Sequence, residues 1–580
     1  MKSQELAEKA KVELTGRRLL WNIIWYGSHL AIFAYGWYSQ QTNAKLAALN
    51  GLKFSVWTSR GAGLVLAFDG GLILVPMLRN ILKLIRPKLM WLFPADENIW
   101  FHRQVAYQMV FWTMVHTTAH YVNFINVERT QVRKQTAWEI HYTQPGGFTG
   151  HVMLLIMFLM YTTAHSSIRK QCFEAFWYTH HLAFFFMIGL YTHATGCFVR
   201  DSVDPDYIPT FPFYSTEHCL GYQSWRFTIW AGILYFGERV YREIRARRKT
   251  DISEVLLHPS GVMEIRFIKP SFKYKAGQWL FLNLPDVSKF QWHPFTISSA
   301  PEDPYVSVHI RQVGDFTLAL GDRLGATKGI ASQKLDYPDE KGDYDYGRRK
   351  DFIEINPNSI GKGMPVLRID GPFGAPAEDV LNSEVAVLIA AGIGVTPFAS
   401  ILKHIWYAQR SGQLGALRRV EFIWSCRDTG TFGWFQTLLE ELEASQSNRE
   451  SSYAVKSITT SSSPLDSFSA DCLRISVYLT QKMDSDTVQN ITINDVGAEY
   501  DPLTLLQSRT LFGRPNYKQI FHSLLSGIES GSYLPGREAT LKSRLGVYFC
   551  GPNALASTIK KEAFAVKSKS VDVKFFKEHF

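Results

Sequence analysis

Several signals that would classify a chain of 580 residues early are missing. Residues 1–16 are polar and hold no cleavable leader pattern. No hydrophobic stretch carries arginine at every third position, which argues against a voltage-sensing ion conductor. The acidic run DEKGDYDYG at 339–347 has its glycine and terminal residue in the wrong places for an EF-hand, and no calcium module precedes the first hydrophobic segment. Net charge is +10, yet the basic residues cluster at the ends of hydrophobic segments. They form no stripe on a soluble face, so nucleic acid is excluded as a partner. Cysteine is scarce, at six residues.

What is present is bipartite. Hydrophobic residues make up 46% and aromatics 14% of the chain, while mean hydropathy is only −0.09. Part of the chain is therefore membrane and part soluble. Six apolar segments are expected, at about 19–39, 55–84, 101–124, 149–166, 176–196 and 225–242, preceded by a cytoplasmic tail at 1–18. Arg79, Lys83, Arg86 and Lys88 follow the second segment, Arg169 and Lys170 the fourth, and Arg239, Arg242, Arg245, Arg247, Arg248 and Lys249 the sixth. All fall on the side of the N-terminus, which makes that side cytoplasmic and puts both termini there. The loop at about 197–224 then faces outward and permits a Cys197–Cys219 disulfide. Cys172, Cys426, Cys472 and Cys550 face the reducing side.

Two of these segments carry spaced histidines: His102, His116 and His120 in one, His180, His181 and His193 in the other. An intramembrane histidine is a functional hypothesis, and neutral imidazole is an axial haem ligand. His102 to His116 is fourteen residues, roughly 21 Å of helix rise and within ~40° of the same face. His180 to His193 is thirteen residues and misses by ~140° on an ideal helix. The second helix must be distorted, or the ligand is His181. Geometry leaves His120 open.

With the soluble half described below, this constellation resembles the catalytic subunit of the superoxide-generating NADPH oxidases, in the ferric reductase transmembrane superfamily. The histidine spacings and the YTHHL stretch at 178–182 carry the likeness. The resemblance implies a six-helix bis-haem membrane bundle over 19–248, with a cytosol-side haem on His102 and His180 and an outer haem on His116 and His193. It also implies that Arg60 and His120 line the outer haem, where a cation would attract a reduced oxygen anion. Snorkelling to the interface is the other reading of Arg60. Asp69 lies deeper and has no assigned role.

From about 250 the pattern turns to period-two strands, SEVLLHPSGVMEIRFI, KAGQWLFLNLP and YVSVHIRQVG, which suggest a small antiparallel barrel over 250–375. Trp292, His293, Pro294, Phe295 and Thr296, taken with His309, Arg311, Phe316 and Thr317, resemble the FAD domain of the ferredoxin-reductase superfamily. The resemblance puts Arg311 on the pyrophosphate and Thr296 near the flavin. Residues 321–364 read as a polar surface insertion of the kind seen in fungal members. Asp370–Gly374 reads as a barrel-closing turn. An α/β open sheet is expected over 376–580. Its AGIGVTPF run, with Gly392, Ile393, Gly394, Thr396 and Pro397, brings a pyrophosphate to a helix N-terminus. Arg427 sits at a strand end where a 2′-phosphate would be read. Thr480 and Arg514 occupy the family's other NADPH positions, Cys550 lies near the nicotinamide, and the terminal Phe580 stacks on the flavin. Residues 445–470 read as a Ser-rich insertion.

These parts suggest one path from NADPH through FAD and two haems to molecular oxygen on the outer face, giving superoxide. A ferric reductase with the same cofactors is the alternative, and a proton or ion conductor a more distant one. The family implies a small membrane partner subunit, together with cytosolic activators that include a Rac-type GTPase. The membrane is expected to be the plasma membrane or an endomembrane.

Overall fold

A computed structural model describes residues 16–43, 50–89, 98–130, 136–143, 145–193, 225–258, 261–327, 352–355, 363–427, 435–436, 438–443, 472–481, 500–501, 503–504, 506–534 and 542–578. Cys197, Cys219, Phe580 and the stretch 445–470 lie outside the described residues. The chain divides into two compact units, Met1–Val240 and Tyr241–Phe580.

The first unit is helical among the described residues. Its helices are α1 (Gly16–Gln41), α2 (Phe54–Leu72), α3 (Arg79–Leu89), α4 (Asn98–Thr130), α5 (Ala137–Thr143), α6 (Pro145–Ala164), α7 (Ser166–Gln171), α8 (Phe173–His180), α9 (Ala183–Thr192) and the start of α10 (Trp225–Ala246). Small residues let α2 pack close to its neighbours. A Cβ on Gly61 would meet the Phe33 carbonyl of α1 at 2.8 Å, and one on Gly70 would meet Leu190 of α9 at 2.8 Å. Two stretches, Phe54–Met77 and Gly146–Ala164, are long and apolar enough to cross a membrane. The fifth expected segment is not one helix: α8 and α9 are separate, with His181 and Leu182 between them in a tight αR turn.

The second unit begins with two antiparallel sheets. One has the order β5-β2-β1-β6, from β1 (Asp251–Leu257), β2 (Val262–Ile268), β5 (Val306–Arg311) and β6 (Ile353–Ile355). The other has the order β4-β3-β7, from β3 (Trp279–Asn283), β4 (His293–Thr296) and β7 (Arg368–Phe373). Alternate residues such as Val255, Ile265, Leu280, Val308 and Ile369 form one apolar core. Two sequence expectations change here. The stretch 321–364 is not all loop, since its first residues finish helix α11 (Asp315–Leu324) and Ile353–Ile355 pair with β1. Asp370–Phe373 continues β7 rather than turning, and buried Asp370 accepts from Arg242 Nε at 2.7 Å and from Arg245.

The six-stranded sheet that follows has the order β11-β10-β9-β8-β12-β13, and every pairing is parallel. The strands are β8 (Val385–Ala391), β9 (Arg419–Cys426), β10 (Leu473–Leu479), β11 (Leu511–Phe512), β12 (Ser543–Cys550) and β13 (Val571–Lys577). The central strands β8, β9 and β12 are buried on both faces, as expected for the inner strands of a parallel sheet, while the edge strand β11 is exposed. Ala386, Leu388 and Ala390 pack with α12 (Thr396–Arg410), while Val385, Val387 and Ile389 face α13 (Tyr517–Glu529) and α14 (Asn553–Ala565). The order reverses at β8, which puts a crevice beyond its C-terminal end.

Candidate functional site

In the first unit α4 presents His102 and His116, and each ring is held from behind. Nδ1 of His102 donates to the Ile73 carbonyl and Nδ1 of His116 to the Ser59 carbonyl, both at 2.9 Å. Nδ1 of His193 lies 2.9 Å from Thr149 Oγ1. A carbonyl can only accept, so the two rings it anchors leave the Nε2 lone pair free, which is the arrangement of a metal-ligating histidine. The rings face one another in two pairs. The His102 and His180 centroids are 6.2 Å apart, and those of His116 and His193 are 6.3 Å apart. Two imidazoles bonded at about 2 Å to one ion between them would place their centroids about 6 Å apart. Glycines keep space beside the second pair: a Cβ on Gly63 would come within 3.4 Å of His116, and one on Gly150 within 3.2 Å of His193. The residues present therefore fit two bis-imidazole haem sites.

The break between α8 and α9 supplies the rotation that thirteen residues of ideal helix lack. His180 faces His102, while His181 is exposed and donates to the Trp177 carbonyl at 2.7 Å. A cavity of about 510 Å³ opens beside the second pair, lined by Arg60, Gly63, His116, His120, Gly150 and His193 among others. The His120 ring lies 4.5 Å from that of His116. His141 and His151 line the same cavity, with the Tyr121 hydroxyl 2.8 Å from His151 Nε2. Sequence reasoning did not single out these two histidines. It also missed His29, which is buried against Asp69 at 2.9 Å and donates from Nδ1 to the Trp25 carbonyl at 2.6 Å. That pair gives Asp69 a partner 40 residues away.

In the second unit β4 carries His293, Pro294, Phe295 and Thr296, with Trp292 half-buried just before it. The His293 ring stacks on Phe316 of α11 at 3.8 Å. Thr317 Oγ1 accepts from the Val313 and Gly314 amides, so it braces its own turn. Arg311 is exposed at the end of β5. His309 does not join this group: its Nδ1 lies 2.7 Å from Ser298 Oγ and its Nε2 faces Glu264.

At the parallel sheet the nucleotide candidates share one edge. Gly392, Ile393 and Gly394 form a turn at the end of β8, with Thr396 and Pro397 opening α12. Gly392 has φ +58° with open space beside it, and its carbonyl accepts from Trp424 Nε1 at 3.1 Å. A Cβ on Gly394 would lie 2.5 Å from the Cys550 carbonyl oxygen, so only glycine brings this turn against β12. Arg427 and Arg514 are exposed at the ends of β9 and β11. Thr480 Oγ1 donates to the Cys426 carbonyl at 2.8 Å. Burial, reinforced by the Glu578 carboxylate, pushes the Cys550 thiol above its usual range. The turn and strand ends fit a dinucleotide.

Comparison with known proteins follows the same division. Residues 63–191 match a ferric reductase like transmembrane component, residues 247–377 an FAD-binding domain, and residues 383–564 a ferric reductase NAD binding domain. The chain is 33% identical to a superoxide-generating NADPH oxidase heavy chain of Dictyostelium discoideum, with 97% of each chain covered. It is 30% identical to NADPH oxidase 1 of Mus musculus over 97% of this chain and 93% of that one. It is also 30% identical to NADPH oxidase 3 of Homo sapiens over 93% of both. Helical unit, flavin domain and nucleotide domain together define a membrane oxidoreductase that joins a ferric-reductase-type domain to a flavin dehydrogenase. Within that class the chain belongs to the NADPH oxidase family.

Proposed function

We propose that this protein carries electrons across a membrane from cytosolic NADPH to molecular oxygen on the far side, producing superoxide. The observation that carries the proposal is the pair of facing imidazole sets, 6.2 and 6.3 Å between centroids, in a chain that also holds flavin and nucleotide domains. FAD when bound accepts a hydride and releases electrons singly, and haem when bound relays them one at a time. His102 and His180 would hold the haem nearer the cytoplasm, and His116 and His193 the outer one. Two of these four rings, His102 and His116, are anchored by backbone carbonyls and so would hold their groups in fixed places.

Arg60 and His120 wall the cavity beside His116. His116 and His193 would hold the haem beside this cavity, and Arg60 would supply the cation, next to His120, where oxygen meets the outgoing electron. At the sheet edge, Gly392–Pro397 would receive the pyrophosphate, Arg427, Thr480 and Arg514 the adenosine end, and Cys550 would flank the nicotinamide. His293, Phe295, Thr296 and Arg311 would seat the flavin. The six-span reading, with both termini cytoplasmic, is supported by the positive residues after segments two, four and six. A small membrane partner and cytosolic activators with a Rac-type GTPase complete the reading through the family resemblance. The matches to ferric reductase domains favour a ferric-chelate reductase as the second reading.

The test is spectroscopic. Purified protein is expected to carry two low-spin b-type haems per chain, with His102→Ala and His193→Ala each losing one. A single haem, or a high-spin spectrum in the unmutated protein, contradicts the assignment.

A further inference from the structure

A cluster of ligand-type side chains lies outside the electron path. His258 follows β1, Glu264 lies on β2 and His309 on β5, so three adjacent strands of one sheet each contribute one residue. Glu264 and His309 are direct cross-strand partners. Val308 and Ile310 belong to the apolar core, so strand alternation puts His309 on the opposite face. All three are at least about nine-tenths buried by side chain, at 6%, 5% and 9% exposure.

Their atoms converge. Nε2 of His258 is 3.1 Å, and Nε2 of His309 3.6 Å, from the same Glu264 Oε2. Three atoms bound at about 2.0–2.1 Å to one tetrahedral ion sit roughly 3.4 Å apart, a separation these distances bracket. The outer partners suit a ligand set. Arg266 Nε donates to the other oxygen, Oε1, at 2.8 Å, its Nη2 reaches Oε2 at 3.3 Å, and Ser298 Oγ holds Nδ1 of His309. His258 differs from His309 in having no such outer anchor, its Nδ1 being buried without a hydrogen-bond partner among the described residues. Charge also leaves room for a cation. Arg266 is shared with Glu254 at 2.7 Å, so two carboxylates face one guanidinium.

We propose that His258, Glu264 and His309 form a binding site for a divalent transition metal of the zinc class, stapling β1, β2 and β5 of the flavin domain. Two imidazoles and one carboxylate suit zinc or iron rather than magnesium or calcium. The fourth position is left to water. The ion would act on the stability of the flavin barrel and takes no part in electron transfer.

The experiment uses the full-length haem- and FAD-loaded protein in detergent. It is equilibrated with zinc, desalted and analysed for metal by mass spectrometry, beside His258→Gln and the control His404→Gln. His404 lies on α12, outside the cluster, and its Nδ1 bonds Glu302. The unmutated protein and His404→Gln are expected to retain one zinc per chain, with flavin release on heating shifted upward by added zinc. His258→Gln is expected to bind at least about 10–100-fold more weakly and to lose the shift. Equal zinc in all three proteins, or no retained zinc, overturns the proposal. Should His258→Gln fail to fold, X-ray absorption at the zinc edge of the unmutated protein decides. Two imidazole nitrogens and oxygen support the site, and sulfur or oxygen-only coordination refutes it.

Discussion

Gly394→Ala offers the sharpest test of the nucleotide edge. The added methyl would lie 2.5 Å from the Cys550 carbonyl oxygen, 2.9 Å from its carbon and 3.3 Å from its sulfur. Non-bonded carbons rest at about 3.5–4.0 Å, so the contact is short by about 1 Å. The two nearest atoms are backbone of the buried strand β12, and they cannot rotate away. The 392–395 turn must retreat instead, by an amount that costs on the order of 100-fold when it separates reacting groups. The assay is anaerobic rapid mixing of NADPH with the purified protein, following flavin bleaching, with the dithionite-reduced haem spectrum as the folding control. Flavin reduction is expected to slow about 100-fold while the haem spectrum is unchanged. A rate within about threefold of the unmutated protein would refute the placement of this turn at the hydride-transfer site. Gly392→Ala meets open space and suffers only from its φ of +58°, an expected stability loss of about 1–2 kcal/mol.

Three further outcomes follow from buried groups. Asp69→Ala leaves His29 Nε2 without its partner in a fully buried position and is expected to cost about 1–3 kcal/mol, read as a lower temperature of haem release; Asp69→Asn should recover much of it. Burial, aided by Arg248 and Arg245 against Asp370, brings Lys269 down to about 8. Between pH 8 and the ordinary lysine value of about 10.4 the folded protein holds fewer protons there than the unfolded chain, so stability should rise with pH across that window. Lys269→Met is expected to flatten this rise in thermal unfolding. Peptide mapping after mild alkylation should find exposed Cys172 modified and Cys550 intact until denaturant is added, since burial keeps the Cys550 thiol protonated.

How much was legible in the sequence depends on how local each feature is. The histidine spacings, the AGIGVTPF turn and the switch to period-two strands are written within short windows, and they led to the family and to the flavin and nucleotide domains. The missing rotation between His180 and His193 was visible as angle arithmetic, though not the αR turn at His181 and Leu182 that provides it. Contacts set by folding were not legible. The carbonyls of Ile73 and Ser59 that orient His102 and His116 belong to another part of the chain. His29 and Asp69 meet across 40 positions, and His258 reaches His309 only through strand register. Composition also misled over 321–364, where polar residues hide the end of α11 and the three-residue strand β6.

The most direct measurement uses the protein in liposomes with haem and FAD, NADPH on the cytoplasmic side, and cytochrome c outside with ferric chelate as a competing acceptor. Dismutase-sensitive cytochrome c reduction that persists with excess chelate and disappears in His116→Ala is the expected result. Electron flow that dismutase does not touch and that only ferric chelate supports would contradict superoxide production and leave a metalloreductase.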